Sequence, residues 1–300
     1  MLDDLPIVDA HHHLWDLTTG SYPWLSDGET IAFRYGDYSA IKHDYLYEDY
    51  RRDSVHHNIV KSVHMEAEWN PADPVAETRW LTDYAKSHDL TNALVGQVWL
   101  DRDDVEDVLT AQASFALMRS VRQKPKAAPS ADDFVPAAPG SMADAKYREG
   151  FALLEQFGLS YDLQTPWWHL GEAADLASNF PNPQIILNHT GLPGDRSDRG
   201  LAGWRSAMRS LAEAPNVCVK ISGLGVPGEG WTVEANRQIV LDTIEAFGVE
   251  RCMFASNFPV DGICASFDAI FNGFKEITAD FSRPDRLKLF HDNAVRIYRL

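Results

Sequence analysis

Short apolar runs rich in β-branched residues recur along the chain. Between them lie longer stretches in which apolar positions return every three or four residues. The first pattern predicts strands at roughly 6–10, 60–66, 93–99, 116–122, 159–163, 184–188, 216–221 and 251–256. The second predicts helices near 48–57, 73–88, 102–114, 144–157, 169–179, 200–213, 232–247 and 265–280, with a closing helix near 284–298. A strand followed by a helix, eight times over in 300 residues, is α/β patterning and suits a closed (β/α)8 TIM barrel. An open doubly wound sheet would more often carry a Gly-rich phosphate loop after its first strand, where this chain has a histidine cluster. Asp101, ahead of an acidic first turn, and Thr232 are the expected N-caps of two of the helices.

Two segments interrupt this rhythm. Residues 14–47 are too many for a short βα loop and carry Trp15, Tyr22, Trp24, Phe33 and Tyr35, as a rim or lid over the barrel mouth would. Residues 123–141, rich in Pro and Ala, form a second loop insertion. Active sites of such barrels lie at the C-terminal ends of the strands, so both insertions fall on the side where a substrate enters. The remainder reads as one domain spanning 1–300, without an internal repeat.

Composition narrows the function classes. With 45% hydrophobic and 24% charged residues the chain can bury one sizeable core. Its 27 Lys and Arg against 44 Asp and Glu, a net charge of -17, disfavour capture of nucleic acid or of an anionic membrane surface. Cys218, Cys252 and Cys264 are odd in number, lack metal-type spacing and sit in or beside apolar stretches, which fits buried thiols in a reducing cytoplasm. A basic leader and an apolar run of membrane length are both missing from the sequence, so a cytoplasmic location is the expectation.

The strongest chemical signal is Asp9-Ala10-His11-His12-His13 at the end of the first strand. Residues two apart point to one side of a strand, so Asp9, His11 and His13 are expected on one face, where two imidazoles could share a divalent metal ion. A hydrogen-bonded histidine cluster is the alternative. His64, Glu66 and Glu68 share parity on the second strand, and an inward Glu66 could add an anionic ligand to His11 and His13. Arg122, at the end of the fourth strand, is the expected grip for a substrate carboxylate, with Lys124 nearby. Arg119, of opposite parity, should face the helices in a salt bridge. Lys220, between apolar neighbours on the seventh strand, is a candidate for stabilising charge on substrate or for pairing with an interior carboxylate. After the fifth strand, Trp167 is a candidate substrate contact, with Gln164, Trp168 and His169 beside it.

With these residues in view, the sequence resembles the amidohydrolase superfamily, and within it the lactonase-like TIM-barrel branch related to sugar-lactone and 2-pyrone-4,6-dicarboxylate lactonases. The resemblance rests on Asp9-x-His11-x-His13, on the Met118-Arg119-Ser120-Val121-Arg122 strand and on Leu187-Asn188-His189-Thr190-Gly191. It rests equally on Val219-Lys220-Ile221-Ser222-Gly223 and on Phe254-Ala255-Ser256-Asn257-Phe258-Pro259. It implies that His11 and His13 lie at a metal or water-binding centre with His189 in the catalytic site, where one Zn or Mn ion is the candidate cofactor; some members of the branch work without metal. The family commonly has an aspartate at the end of strand eight that takes the proton of the attacking water; Asn257 stands there, and Asp261 is the carboxylate that could reach back in its place. The expected function is a hydrolase opening a carboxylate-bearing lactone or related cyclic ester. A lactone isomerase or non-oxidative decarboxylase of the same superfamily is the alternative, and a catalytically silent ligand-binding barrel is a third. A small carboxylated molecule is the expected partner, and a homodimer is a general prior.

Overall fold

The computed structural model describes residues 4–18, 21–26 and 30–300. Residues 19, 20 and 27–29 of the first insertion lie outside the described residues. Eight parallel strands follow one another in chain order: β1 (Ile7–His12), β2 (Ile59–Met65), β3 (Ala93–Gln97), β4 (Met118–Gln123), β5 (Ser160–Leu163), β6 (Ile185–Leu187), β7 (Val217–Ile221) and β8 (Cys252–Phe254). Helices occupy the connections, as the alternating patterning requires, and the architecture is the (β/α)8 TIM barrel. Beyond β8 the chain swings back to β1: Asn257 N donates to His11 O at 2.8 Å and His13 N to Phe258 O at 2.8 Å. Asp9 adds to this seam, its carboxylate accepting from Ser256 N at 2.8 Å and Ser256 Oγ at 2.6 Å.

Alternate strand residues divide the apolar side chains between two clusters. Val8, Ala10, Val63, Met65, Val95, Ile186 and Met253 pack with one another, and Ala294, Ile297 and Tyr298 of the closing helix Asn293–Tyr298 pack against them. The much larger cluster, which includes Tyr50, Phe151, Trp204 and Phe271, lies between strands and helices. Among the described residues no helix is long and apolar enough to cross a membrane.

One irregularity decides which way the histidines face. Asp9 pairs with Ser62 and His12 with His64, so β1 advances three residues where β2 advances two. This bulge reverses the alternation. Asp9 and His12 therefore turn to the same outer helix, Asp9 accepting from Tyr50 Oη at 2.7 Å and the His12 ring lying 4.6 Å from the Tyr50 ring, while His11 turns to the interior. The expectation that Asp9 shares a face with His11 and His13 is thereby corrected.

Caps divide in the same way. Thr232 Oγ1 accepts from Ala235 N at 3.2 Å at the start of Val233–Phe247, as expected. Asp101 does not cap: its helix begins at Val105, and its carboxylate accepts from Gln123 Nε2 at 3.1 Å. Glycine is required where Ala145–Ala152 crosses the loop after β3, because a Cβ on Gly150 would press into the Leu100 carbonyl. Gly150→Ala is expected to destabilise by about 2–3 kcal/mol through overpacking against backbone. Gly171→Ala, whose Cβ meets open space near the start of Leu170–Asn179, should gain about 0.5 kcal/mol. Urea midpoints of the two variants check the contrast.

Candidate active site

The C-terminal strand ends bring three imidazoles together. The His11 ring lies 5.1 Å from that of His13 and 4.6 Å from that of His189, centroid to centroid. All three side chains are buried. His13 Nδ1 bonds Met65 O at 2.9 Å; since a carbonyl only accepts, Nδ1 carries the hydrogen and Nε2 keeps its lone pair. His189 Nδ1 meets Ser222 Oγ at 2.9 Å. His11 differs from both, because neither of its ring nitrogens has a partner although both are buried. Burial holds all three well below the usual imidazole range, with the positive charge of Arg122 acting on each in the same direction, joined by Lys220 at His11 and by Arg34 and Lys220 at His189, so the trio is neutral at pH 7.

His189 is delivered by unusual backbone. His189, Thr190, Gly191 and Leu192 run consecutively at positive φ (54°, 51°, 68° and 56°), and Asn257 has φ 55°. Left-handed conformations at non-glycine residues are costly and gather where a fold holds functional groups in place. Asn257 Nδ2 donates to Asp261 Oδ1 at 2.6 Å, which leaves the amide oxygen of Asn257 to accept. Asp261 also receives Tyr35 Oη at 2.8 Å and Gly223 N at 3.0 Å. It therefore stands behind Asn257, and burial raises its carboxyl above the ordinary range.

A cavity of about 240 Å³ opens above this centre, with His13, His189, Asn257, Arg122, Gln164 and Arg34 among its lining residues. Arg122 is only 3% exposed: its Nε pairs with the Glu66 carboxylate, Nη2 donates to Glu66 O at 2.6 Å and Nη1 to Gln164 Oε1 at 3.1 Å. The three bonds use three of five N–H groups and aim the fork at the cavity. Glu66 is committed to this pair and to Glu68 N at 2.7 Å, so the structure sets it with Arg122 and away from the histidines. Among the described residues no three His, Cys, Asp or Glu side chains form a ready-made metal cluster. Lys124 pairs with Glu68 at the rim.

Other expected residues lie elsewhere. Lys220 is fully buried, 2.7 Å from Asp162 and over the Tyr298 ring at 5.0 Å, so it takes the interior-pair role. Burial lowers its ammonium to about 8. Asn188 Nδ2 and Tyr298 Oη also donate to Asp162, at 2.8 and 2.9 Å. His64 accepts Leu14 N at 2.9 Å and serves the first insertion. Arg119 faces outward as expected, but to the carbonyls of Ala116 and Met118 at 2.8 Å in place of a carboxylate. Trp167 lines a second pocket that adjoins the cavity at Arg34 and Leu192. Sequence reasoning missed Arg34, which the first insertion sets 3.7 Å from Asp261. Its signal was a cation between two aromatics, Phe33 and Tyr35, in a segment already assigned to the rim.

Comparison with known proteins places the chain in a family and agrees with its fold. The family model described as Amidohydrolase matches residues 8–300. The chain is 45% identical over 299 residues to the uncharacterized protein y4mH of Sinorhizobium fredii, covering 100% of each. It is 26% identical over 309 residues to an L-fucono-1,5-lactonase of Burkholderia multivorans, covering 98% of this chain and 96% of the relative. Among solved structures, an amidohydrolase of Burkholderia multivorans crystallised with bound Zn superposes with a TM-score of 0.80 at 24% identity, over 98% of this chain and 99% of that one. A barrel whose strand ends gather His11, His13 and His189, in a chain matched by the family model from its first strand to its last residue, belongs to the amidohydrolase family.

Proposed function

We propose that this amidohydrolase opens a lactone, or a closely related cyclic ester, that bears a carboxylate. The observation that carries the reading is the neutral imidazole trio, of which His13 and His189 line a cavity with His11 packed against both, and the guanidinium of Arg122 in the wall of that cavity. Bases and a fixed cation facing one space suit attack by water on an uncharged ester beside an anionic group. The lactonase relatives at 26% identity support the same reaction class.

The donor chemistry fits a divalent ion. His11 offers two buried nitrogens without partners, and His13 a lone pair oriented by the Met65 carbonyl, the arrangement that usually stands behind a ligating histidine. His11 and His13 would hold it; when bound, Zn or Mn would polarise the ester carbonyl and ease deprotonation of water. His189, hydrogen-bonded to Ser222 through Nδ1, takes the proton of the attacking water on Nε2. The water oxygen bonds to the carbonyl carbon, the ring C–O bond breaks, and the departing alkoxide recovers the proton from the His189 imidazolium. Asn257 accepts a hydrogen bond through the amide oxygen that Asp261 leaves free, orienting water or substrate hydroxyl. Arg122 grips the substrate carboxylate with the two N–H groups that Glu66 and Gln164 leave over.

Loss of a strand-eight carboxylate at Asn257 favours one other reading, proton transfer beside a carbonyl as in a lactone isomerase or decarboxylase. A panel of carboxylated lactones in oxygen-18 water separates the two: label in the new carboxylate supports hydrolysis, and product without label overturns it. Running the panel with and without chelator, alongside metal analysis, assigns the ion. Ser222→Ala, which loosens the orientation of His189, is expected to lower kcat about tenfold while leaving KM within about twofold.

A further inference from the structure

The second pocket holds about 760 Å³, several times the volume of the cavity over the histidines, and the two meet at Arg34 and Leu192. The proposed reaction gives it no role. Its wall combines the indoles of Trp167 and Trp168 with the guanidinium of Arg196. Arg196 is the unusual member. Nη2 bonds Leu224 O at 3.1 Å and Asn236 Oδ1 at 3.3 Å, but Nε and Nη1 are buried without a hydrogen-bond partner. No ion pair to Arg196 is formed among the described residues, although the charge of Glu229 acts on it; of the two carboxylates in the pocket wall, Asp132 is paired with Arg199 at 3.0 Å and Asp195 accepts from Ser197 N at 2.9 Å. Trp167 Nε1 and Arg34 Nη1 are likewise buried and unpartnered.

Four N–H-bearing atoms of three residues thus stand unsatisfied around one pocket in a chain of net charge -17. Buried donors are normally paired, and a cation is normally neutralised where acidic residues are plentiful. Donors left open beside aromatic walls match an anionic group carried on a planar or apolar body.

We infer that this pocket is a second substrate subsite, taking an anionic group, carboxylate or phosphate, on an apolar or aromatic arm that extends past Arg34 from the ring being opened. Arg196 and Trp167 Nε1 bind the anion, and Arg34 spans the junction. The inference rests on the proposed lactone-opening reaction for its direction, but the pocket can be tested without turnover. The preferred substrate is then anionic at two separated points, one gripped by Arg122 and the other by Arg196.

Calorimetric titration of the whole protein with benzoate and with phenyl phosphate tests it. Two sites are expected, one at Arg122 and one in this pocket; the second is weakened about tenfold or more by Arg196→Gln, weakened less by Trp167→Phe, which removes the N–H and keeps a ring, and unchanged by His189→Asn. Tighter benzoate assigns a carboxylate and tighter phenyl phosphate a phosphate; either supports the subsite. Failure of both probes to bind, or binding indifferent to Arg196→Gln, overturns it whether or not lactones are hydrolysed. In turnover, Arg196→Gln should raise KM about tenfold for lactones with an anionic arm and leave both constants unchanged for lactones without one. Equal effects on the two substrate sets would also overturn the inference.

Discussion

His11→Leu is expected to abolish turnover, lowering kcat by about 10³-fold or more, while leaving the fold as stable as before or slightly more stable. The two halves have one cause. The His11 ring makes no hydrogen bond through either nitrogen although it is fully buried, so in the folded protein alone those nitrogens lose their water and receive nothing in return. A leucine of similar volume removes that penalty, and with it the group that would hold an ion or steer water. His189→Asn should lower kcat by a similar factor, within the usual range for a missing general base, but with some loss of stability, because the Ser222 hydroxyl loses its partner. Steady-state kinetics with a urea titration on each variant, and metal analysis of His11→Leu, check the pair. Turnover surviving in His11→Leu would remove His11 from the mechanism. Ligand binding retained in both variants, with no turnover in the unmutated chain, would point to the silent binding barrel.

How much of this could be read from the sequence follows from which forces are local. Strand positions come from apolar runs and their period, and 93–99 or 216–221 as read from the sequence differ from Ala93–Gln97 and Val217–Ile221 by a residue or two at the ends. The closing of the barrel follows from the same count. The orientation of Asp9 was not legible, because a bulge is a register difference between two strands fifty residues apart and leaves no mark on either. Arg122 and Glu66 were each singled out, one for substrate and one for metal, yet they meet each other. Two strand ends that point into one space cannot be told from strand ends that point at separate targets until the barrel carries the ends of β2 and β4 to the same mouth, with β3 between them. Arg34 was hidden for a related reason: insertions lack the periodicity that gives direction to a side chain in a strand, so the cation in 14–47 had no predicted target.

The burial that makes the histidines chemically useful also sets how the protein responds to acid. His64, bonded to Leu14 and packed beside the rings of His12 and His13, is lowered to about 3 chiefly by burial, and His11, His12, His13 and His189 are held well below their ordinary range for the same reason. Each takes up a proton near pH 6.5 in the unfolded chain and stays neutral in the folded one, so the unfolded state binds more protons as pH falls below 6.5 and stability is lost. The loss is about 1.4 kcal/mol per imidazole at pH 5.5. Asp9, Glu77 and Asp261 act against it, since burial raises their carboxyls and the folded state then gains protons first. These five imidazoles, joined by His57 at about 4, outnumber the three carboxylates, and the expected net is a fall in stability between pH 7.5 and 5.5. Urea midpoints across that range, measured in chelator so that metal loss does not contribute, should drop steadily. Replacing His64 by glutamine, which keeps a side-chain amide within reach of Leu14, should flatten the slope by about one proton. A slope left unchanged by the His64→Gln replacement would mean that burial does not hold these imidazoles neutral in the folded state, and the neutral trio on which water activation depends would then be charged at acid pH.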